Sequence, residues 1–411
     1  MAIQPSKLII AFLALAIICL AGWIMDLSKT VVATPNTQGQ ETELQIYMTN
    51  PNRLKPYIEN YKEKGEYKGV FSTLWHFTST RFKNAVNLLF AFNLPAVAAN
   101  IAECFKAAGW ALRYHFIYCI IFFAIGLAVI SIAGGSICRI AALRFARGEK
   151  PGLTEALRFS ARNFTNFFTA PLAPICIIIF IALFIFLLGL IGNIPIAGEL
   201  IIGLFAPLAL IAGSLIAVIS IGMVAGFNLM FPAVAYDGSD CFDAISRSFS
   251  YVYAKPWRMG FYTAIAVVYG AICYTFVRFF AFLLLLVAHL FLRLGVWVEN
   301  GKQVNKLTAI WPEPTFMNLS GSSDLAAAGW SQPIAAFLVY LFLLVVVGLV
   351  VSFVISFYFS ANTIIYSLMR NRVDNTALED IYTYFNDVKT EPATPESGSE
   401  ESQPESETQD D

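Results

Sequence analysis

An acidic cluster contains the residues whose types and spacing come nearest to a chemical site. Asp237, Asp240 and Asp243 recur at every third residue, and Arg247 follows them. Clustered carboxylates could bind a cation, and with the arginine they could contact a lipid headgroup. The same spacing fits the start of a helix, where Asp240 would cap free N–H groups and Asp243 would favour the first turn. We favour the helix start over the cation or headgroup site.

Histidine and cysteine show no spacing that indicates catalysis or metal binding. The three histidines, His76, His115 and His289, are far apart in the chain. The seven cysteines contain no C-x-x-C pair and lie mostly in apolar stretches, where a thiol usually packs as a small apolar group. We therefore expect no catalytic residue, no metal site, no cofactor and no enzymatic activity.

Arginines are the remaining candidates for contact with a ligand. We predict lipid or ligand contacts for Arg139, Arg144, Arg147, Arg158, Arg247 and Arg278. Arg278 stands within an apolar stretch, where an ionisable residue is a functional candidate by default. It lies twenty residues after Arg258, which is about 30 Å along a helix. That distance favours an anchor at the far membrane interface over a buried functional arginine.

The composition identifies the elements that must position these residues as membrane helices. Hydrophobic residues make up 57% of the 411 residues and charged residues only 13%, with a mean hydropathy of +0.65. This excludes an ordinary soluble enzyme and a basic nucleic-acid binder. The net charge of −1 divides unevenly, because eight acids follow Lys389 and leave 20 acids against 27 Lys and Arg before them. The tail is therefore acidic and the rest of the chain carries +7.

Six stretches approach the roughly 20 apolar residues that cross a bilayer. They are Leu8–Met25, Phe116–Ile137, Pro171–Ile191, Ile201–Met230, Met259–Leu283 and Pro333–Tyr358. The sequence thus predicts an all-α membrane protein with a bundle of six transmembrane helices, amphipathic interfacial helices and a small extracytoplasmic cap. The first stretch follows Lys7 without an A-x-A cleavage site, which favours an uncleaved signal anchor over residues 1–25.

Basic residues in the short loops predict the orientation. The connection after the second stretch, the loop after the fourth and the exit of the sixth carry most of them, whereas the connection 192–199 has none. Positive loops stay cytoplasmic, so we expect both termini inside and segments 26–113 and 293–332 outside. Residues 114–292 then form a four-helix membrane core. Ala85–Ala102, which four asparagines and Pro95 interrupt, fits a kinked amphipathic helix on the outer leaflet better than a seventh span.

The outer segments contain signals for a small cap. After a polar linker from Thr34 to Thr42, alternation of apolar residues in Glu43–Thr49 predicts a strand, and Pro51–Tyr67 is expected to be helical. In segment 293–332, apolar residues flank Asn300-Gly301, which is a strong hairpin signal. A cap of this size is too small for a separate catalytic domain.

The cytoplasmic segments contain a short internal repeat. In Leu153–Ser160 and Cys241–Ser248, an acid, an alanine, a branched apolar residue and a serine recur at the same spacing, each time before aromatic residues, a proline and a span. We interpret each copy as an amphipathic helix on the inner face that leads into the membrane, within a duplicated module.

The second copy and the run Gly134–Ala142 carry a resemblance to known families. Ala244–Phe249 with Trp257 resembles the E-A-x-x-R-S…W pattern of the membrane domain found beside glycerophosphodiester phosphodiesterases and of YciC-like proteins. Gly134–Ala142 is similar to a turn in uncharacterised bacterial membrane proteins. The resemblance covers about a third of the chain and implies a helical membrane fold without catalytic residues, since the phosphodiesterase activity belongs to a separate soluble domain that this chain lacks.

Small residues predict where helices pack. Gly348, Ser352, Ser356 and Ser360 recur every fourth residue on the sixth stretch, and Gly222 and Gly226 form a G-x-x-x-G pair on the fourth. Such residues let helix backbones approach closely, and we favour packing within one chain over dimerisation.

The end of the chain has two predicted parts. In segment 333–385, a short capped helix is expected to follow the sixth span, starting at Asn375 or Thr376. Residues 386–411 are rich in proline, serine and glutamate and are expected to form a disordered tail.

These features bear differently on three classes of function. An enzyme lacks a site, and an ion-coupled carrier would need ionisable groups in its spans. The sequence favours a membrane scaffold or accessory subunit, whose partners are anionic lipid headgroups at the inner face and other membrane proteins. The alternative is lipid handling or small-molecule transport without ion-coupling carboxylates. The resemblance and the absence of eukaryotic targeting motifs indicate a bacterial cytoplasmic membrane.

Overall fold

The computed structural model describes residues 3–36, 39–61, 66–91, 93–296, 307, 310–316, 318–319 and 331–382. In chain order the elements are α1 (Pro5–Met25), β1 (Val31–Asn36), β2 (Gly39–Thr42), α2 (Glu43–Thr49), α3 (Leu54–Tyr61), β3 (Glu66–Lys68), α4 (Val70–Phe90), α5 (Leu94–Tyr114), α6 (Phe116–Arg147), α7 (Leu153–Arg162), α8 (Phe164–Ile191), α9 (Ala197–Asp237), α10 (Cys241–Ala254), α11 (Pro256–Gly295) and α12 (Ser331–Val373). Two short 3-10 turns lie at Asp26–Ser28 and Pro51–Arg53.

Six helices in the described part of the chain are long and apolar enough to cross a membrane, namely α1, α6, α8, α9, α11 and α12. This confirms the predicted all-α bundle, and the chain is a multi-pass membrane protein. Helices α9, α11 and α12 contain 41, 40 and 43 residues, so each is about 60 Å long, twice the thickness of a hydrocarbon core. These helices therefore extend well beyond the predicted apolar stretches, and parts of them project out of the hydrocarbon core.

The core lies near one end of the bundle, which we call the basic end, where α6 ends at Arg147, α9 at Asp237 and α12 at Val373. Most buried residues of α6 fall between Ala133 and Ala146, and those of α9 between Gly222 and Tyr236. The other end is called the capped end. Away from the basic end, α8, α9 and α11 expose apolar side chains over most of their length, as helices surrounded by lipid do.

The two copies of the sequence repeat form α7 and α10, each between two spans. Their equivalent alanines, Ala156 and Ala244, are fully buried, and so are their serines, Ser160 and Ser248. Each serine packs against a glycine of the preceding span. A Cβ at Gly135 of α6 would lie 2.7 Å from Ser160 Oγ, and a Cβ at Gly226 of α9 would lie 3.5 Å from Ser248 Cβ. The repeated residues therefore make equivalent contacts.

The cap contains a three-stranded antiparallel sheet in the order β2-β1-β3. Two predictions for this region were wrong. The polar linker is largely the β1–β2 hairpin, and the predicted strand Glu43–Thr49 is helix α2. A capping box between Thr42 and Gln45 satisfies the first N–H groups of α2, and this local bonding outweighs the alternating apolar pattern. Pro51–Tyr67 is only partly helical, because it includes the start of β3.

The predicted kinked interfacial helix Ala85–Ala102 is instead the junction of two antiparallel helices. Helix α4 ends at Phe90, and α5 begins after Asn93, whose side chain accepts a hydrogen bond from the backbone N–H of Ala96. Asp26, just after α1, accepts hydrogen bonds from the backbone N–H groups of Phe71 and Ser72 at the start of α4. The cap is thereby attached to the end of the first span.

Two further predictions at specific segments were wrong. Gly134–Ala142, which was compared with a turn, lies inside α6. The predicted short helix after α12 is absent, since residues 375–377 and 380–382 have no regular structure and the rest of the segment forms turns. The predicted hairpin at Asn300-Gly301 and the acidic tail lie outside the described residues.

Candidate functional site at the basic end

A buried carboxylate, Asp237, lies at the centre of the basic end. Its side chain is 7% exposed and pairs with Arg370 at 3.1 Å and with Arg247 at 3.2 Å. The hydroxyl of Tyr366, a fully buried side chain, also donates to this carboxylate. Two guanidinium groups and a phenol thus hold one carboxylate, which leaves it no free position for a cation.

The other two acids of the cluster have the structural roles that a helix start requires. Asp240 accepts a hydrogen bond from the backbone N–H of Asp243 at 2.9 Å and so caps α10, as predicted. Asp243 pairs with Arg247 one turn later at 2.8 Å. Every carboxylate of the cluster therefore has a partner within the protein, which favours the helix start over a cation site.

Residues 374–382, which we call the terminal strap, cross the basic end. The backbone N–H of Tyr382 donates to the carbonyl of Tyr236 at 3.1 Å, and the Tyr236 hydroxyl donates to the carbonyl of Leu378. Tyr251 of α10 donates to the Asp374 carboxylate. Burial, together with this hydrogen bond, raises the pKa of Tyr251 well above its usual value, so the phenol stays protonated as a donor. The strap is thereby bonded to α9 and α10.

Arg139 joins the strap to the core. Its side chain is 6% exposed and donates to the carbonyls of Ala235 at 2.9 Å and Tyr382 at 2.8 Å, and its guanidinium lies over the Phe159 ring. Arg147 is exposed and donates to the carbonyl of Ile381. Arg139 is therefore a structural residue inside the protein, and the lipid contact predicted for it is wrong.

The remaining basic residues at this end divide into bonded and exposed ones. Arg144 donates to the Gln4 side chain at 3.0 Å, which ties α6 to the residue that caps α1. Arg158 is exposed on α7, so its side chain is accessible for the lipid contact that was predicted for it. Further exposed bases are Lys150, Arg258 and Arg372, and Trp257 beside Arg258 is 91% exposed.

Arg278 lies toward the capped end of α11 and is 7% exposed. It donates to the carbonyl of Phe316 at 3.1 Å and to the Tyr274 hydroxyl at 2.6 Å, and it lies over both rings. The loop that carries Phe316 covers it, so Arg278 is a buried link between α11 and that loop instead of a freely snorkelling anchor. Helix α11 continues past it without a break to Gly295.

The predicted packing residues make contacts within the chain. A Cβ at Gly348 would lie 2.8 Å from the Phe12 ring of α1, and Ser352 and Ser356 are fully buried on the same face of α12. A Cβ at Gly222 would lie 3.0 Å from the Phe249 ring, and Gly226 also faces α10. The glycine pair therefore packs against an interfacial helix rather than against another span.

A lateral cavity of about 360 Å³ lies between α9, α11 and α12, with one residue of α4 at its edge. The sequence analysis did not identify the polar residues that line it, because they carry no charge and only ionisable residues in a span are functional candidates by default. They include Asn228, Tyr358 and Asn362. The Tyr358 hydroxyl donates a hydrogen bond to the side-chain oxygen of Asn228. The signal that could have revealed them is an asparagine inside an apolar stretch.

The described residues contain no group of three His, Cys, Asp or Glu side chains that could hold a metal ion. None of the groups that pair with Asp237 lines the lateral cavity, so the basic end and the cavity are separate features. Comparison with protein-family models, with curated proteins and with solved structures finds no match to this chain. The family resemblance therefore still rests on the short motifs of α6 and α10.

Proposed function

We propose that the chain is a non-enzymatic scaffold or accessory subunit of a membrane complex, located in a bacterial cytoplasmic membrane with both termini in the cytoplasm. Helix α1 is then an uncleaved signal anchor. The orientation is supported by the concentration of Lys and Arg at the basic end, since positively charged segments stay on the cytoplasmic side.

The observation that carries this proposal is the bracing of the basic end. Asp237, Arg139 and Arg370 connect α6, α9, α10, α12 and the terminal strap through bonds between buried groups. A carrier needs this end to open, and breaking such a network is costly because it leaves charges buried without partners. A braced end suits a protein whose task is to hold a shape.

Anionic lipids are the first proposed partners. Exposed Arg158, Arg258, Arg372 and Lys150 surround the braced centre, and the exposed Trp257 suits the membrane interface. Each base near an anionic surface contributes about 1 kcal/mol. Replacing two of them should cost about 2 kcal/mol, which is about 30-fold in affinity.

A charge-matched pair of variants tests the lipid contact. Arg158→Gln with Arg258→Gln removes two exposed charges at the basic end, and Arg53→Gln with Lys55→Gln removes two exposed charges from the cap. In nanodiscs containing phosphatidylglycerol, native mass spectrometry should show fewer retained anionic lipids for the first pair alone. Equal retention by both double variants would contradict a headgroup contact at the basic end.

Membrane-protein partners are tested by isolating the tagged chain from its own membrane without added detergent, in polymer-bounded discs. Native mass spectrometry should detect other protein subunits at a fixed ratio to this chain. A chain that is always recovered alone would contradict the scaffold or accessory role.

Lipid handling without ion coupling is the second candidate, and the lateral cavity favours it. The cavity lies at membrane depth beside the lipid-facing surface of α11 and α12, and its lining is mostly apolar. Apolar substrates need no charged site, so the scarcity of ionisable residues in the spans does not weigh against this function. Protein-dependent movement of a labelled lipid between the leaflets of a vesicle would distinguish it from a scaffold.

A further inference from the structure

The lateral cavity lies where α9 and α11 both pack against α12 but hardly contact each other. Gly270 brings the Phe357 ring close to α11, since a Cβ there would lie 2.5 Å from that ring. Apart from Gly198, the buried residues of α9 lie from Gly222 onward, and Asn228 of this part lines the cavity.

An unpartnered amide faces this cavity. Asn362 is 7% exposed, lines the cavity and makes no hydrogen bond to any described residue. On α9, the half-buried Asn228 accepts a hydrogen bond from the Tyr358 hydroxyl through its side-chain oxygen. Its amide nitrogen likewise has no acceptor among the described residues. An amide without a hydrogen-bond partner is costly at membrane depth. Both amides can donate a hydrogen bond to a bound molecule.

The cavity contains no full charge. Asp, Glu, Lys and Arg are absent from the described residues that line it. Arg278 lies one turn beyond Tyr274, and its guanidinium is already bonded to Tyr274 and to the Phe316 carbonyl. A ligand with a neutral polar group therefore fits the amides better than an anionic or cationic headgroup.

Depth also separates this site from phospholipid headgroups. Thr263 and Tyr274, which line opposite parts of the cavity, lie six and seventeen residues beyond the exposed Trp257. Those spacings correspond to about 9 and 25 Å along the helix, within a hydrocarbon core of about 30 Å. The aromatic side chains of Phe353 and Phe357 also line the cavity, and aromatic rings pack favourably against one another.

We propose that the lateral cavity binds a neutral, membrane-soluble ring carbonyl compound of the quinone class, whose carbonyl oxygen accepts hydrogen bonds from Asn362 and Asn228. The volume of about 360 Å³ lies within the range of about 300 to 1,000 Å³ that ligand pockets occupy. The apolar chain of such a compound would extend into the adjoining lipid. If the protein moves the ligand, the site belongs to the proposed lipid-handling function and rests on it. Binding without movement is equally compatible with a scaffold.

Titration of the purified full chain in lipid nanodiscs tests this site, with decylubiquinone as the probe and decylbenzene as a matched compound without carbonyl groups. Asn362→Leu removes the amide and should weaken decylubiquinone binding at least tenfold. Because it removes an unbonded buried amide, it should leave the melting temperature of the free protein unchanged or higher. Cys273→Ala is the control, since Cys273 lines a second cavity of about 430 Å³ at the same pair of helices and should leave the affinity within twofold.

Three results would overturn the proposal. They are unchanged binding by Asn362→Leu, equal binding of decylbenzene, or displacement of decylubiquinone by phosphatidylglycerol at equal concentration. If Asn362→Leu does not fold, Asn362→Ala serves in its place. Leaflet exchange of a labelled lipid is measured in parallel, so that binding without exchange would contradict lipid handling and leave the site in place.

Discussion

Asp237→Asn should destabilise the protein by about 3 kcal/mol, because it removes the charge that neutralises a buried arginine. The Asp237 and Arg370 side chains are 7% and 9% exposed, and the atoms that pair are 3.1 Å apart. Removing one partner of a buried ion pair costs about 3 to 5 kcal/mol. The lower value is expected, since Arg370 still donates to the carbonyl of Asp380 at 2.7 Å.

The other partner of Asp237 adds little to this value. The Arg247 side chain is 37% exposed and keeps its pair with Asp243, so its loss of one contact should cost less than about 1 kcal/mol. Asp243→Asn is the matched control. That carboxylate is 42% exposed, and its substitution should also cost less than about 1 kcal/mol.

Reversible unfolding in mixed micelles, followed by circular dichroism, would measure these free energies. The double variant Asp237→Asn with Arg370→Gln should be more stable than the sum of the two single losses, by about 1 to 3 kcal/mol, because it leaves no charge unpaired. A single-variant loss under about 0.5 kcal/mol, or additive losses, would refute the view that Asp237 and Arg370 form a coupled buried pair.

Three further outcomes follow from the packing. Truncation after residue 373 should lower the stability by about 3 kcal/mol in the same unfolding assay, because three arginines lose carbonyl partners in the strap, whereas truncation after residue 385 should have little effect. Gly348→Ala should lower the melting temperature because its Cβ meets a ring of α1, whereas Gly213→Ala, with open space around it, should not. Arg278→Gln should cost about 2 kcal/mol and increase proteolysis of the loop around Phe316, which it holds by a hydrogen bond to that carbonyl.

Hydropathy was enough to predict the helical class and the number of spans, because the cost of unpaired backbone groups in lipid allows few alternatives. It failed at helix ends. Arg139 looked like a loop residue by charge, yet it lies in α6 because two backbone carbonyls and a ring compensate for its burial. The charge of a residue alone does not reveal the partners it will find in the folded chain.

Local patterns failed where a different set of hydrogen bonds was stronger. The alternation in Glu43–Thr49 indicated a strand, but the capping box at Thr42 starts a helix there. The capping signal at Asn375 indicated a helix. Instead, backbone N–H and carbonyl groups of the strap form hydrogen bonds with α9 and with arginines of α6 and α12. The position of Asn362 on the lateral cavity could not be predicted from the sequence, because it depends on how α9 and α11 pack against α12.

Hydrogen–deuterium exchange of the chain in nanodiscs would test most directly whether the basic end is closed. The backbone N–H of Tyr382 donates to the Tyr236 carbonyl and that of Asp374 to the Arg370 carbonyl, so peptides from residues 374–382 should exchange slowly. Asp237→Asn should accelerate their exchange, and Asp243→Asn should not. Complete exchange of the wild-type strap within seconds would show an open end, as in a carrier, and would contradict the braced scaffold.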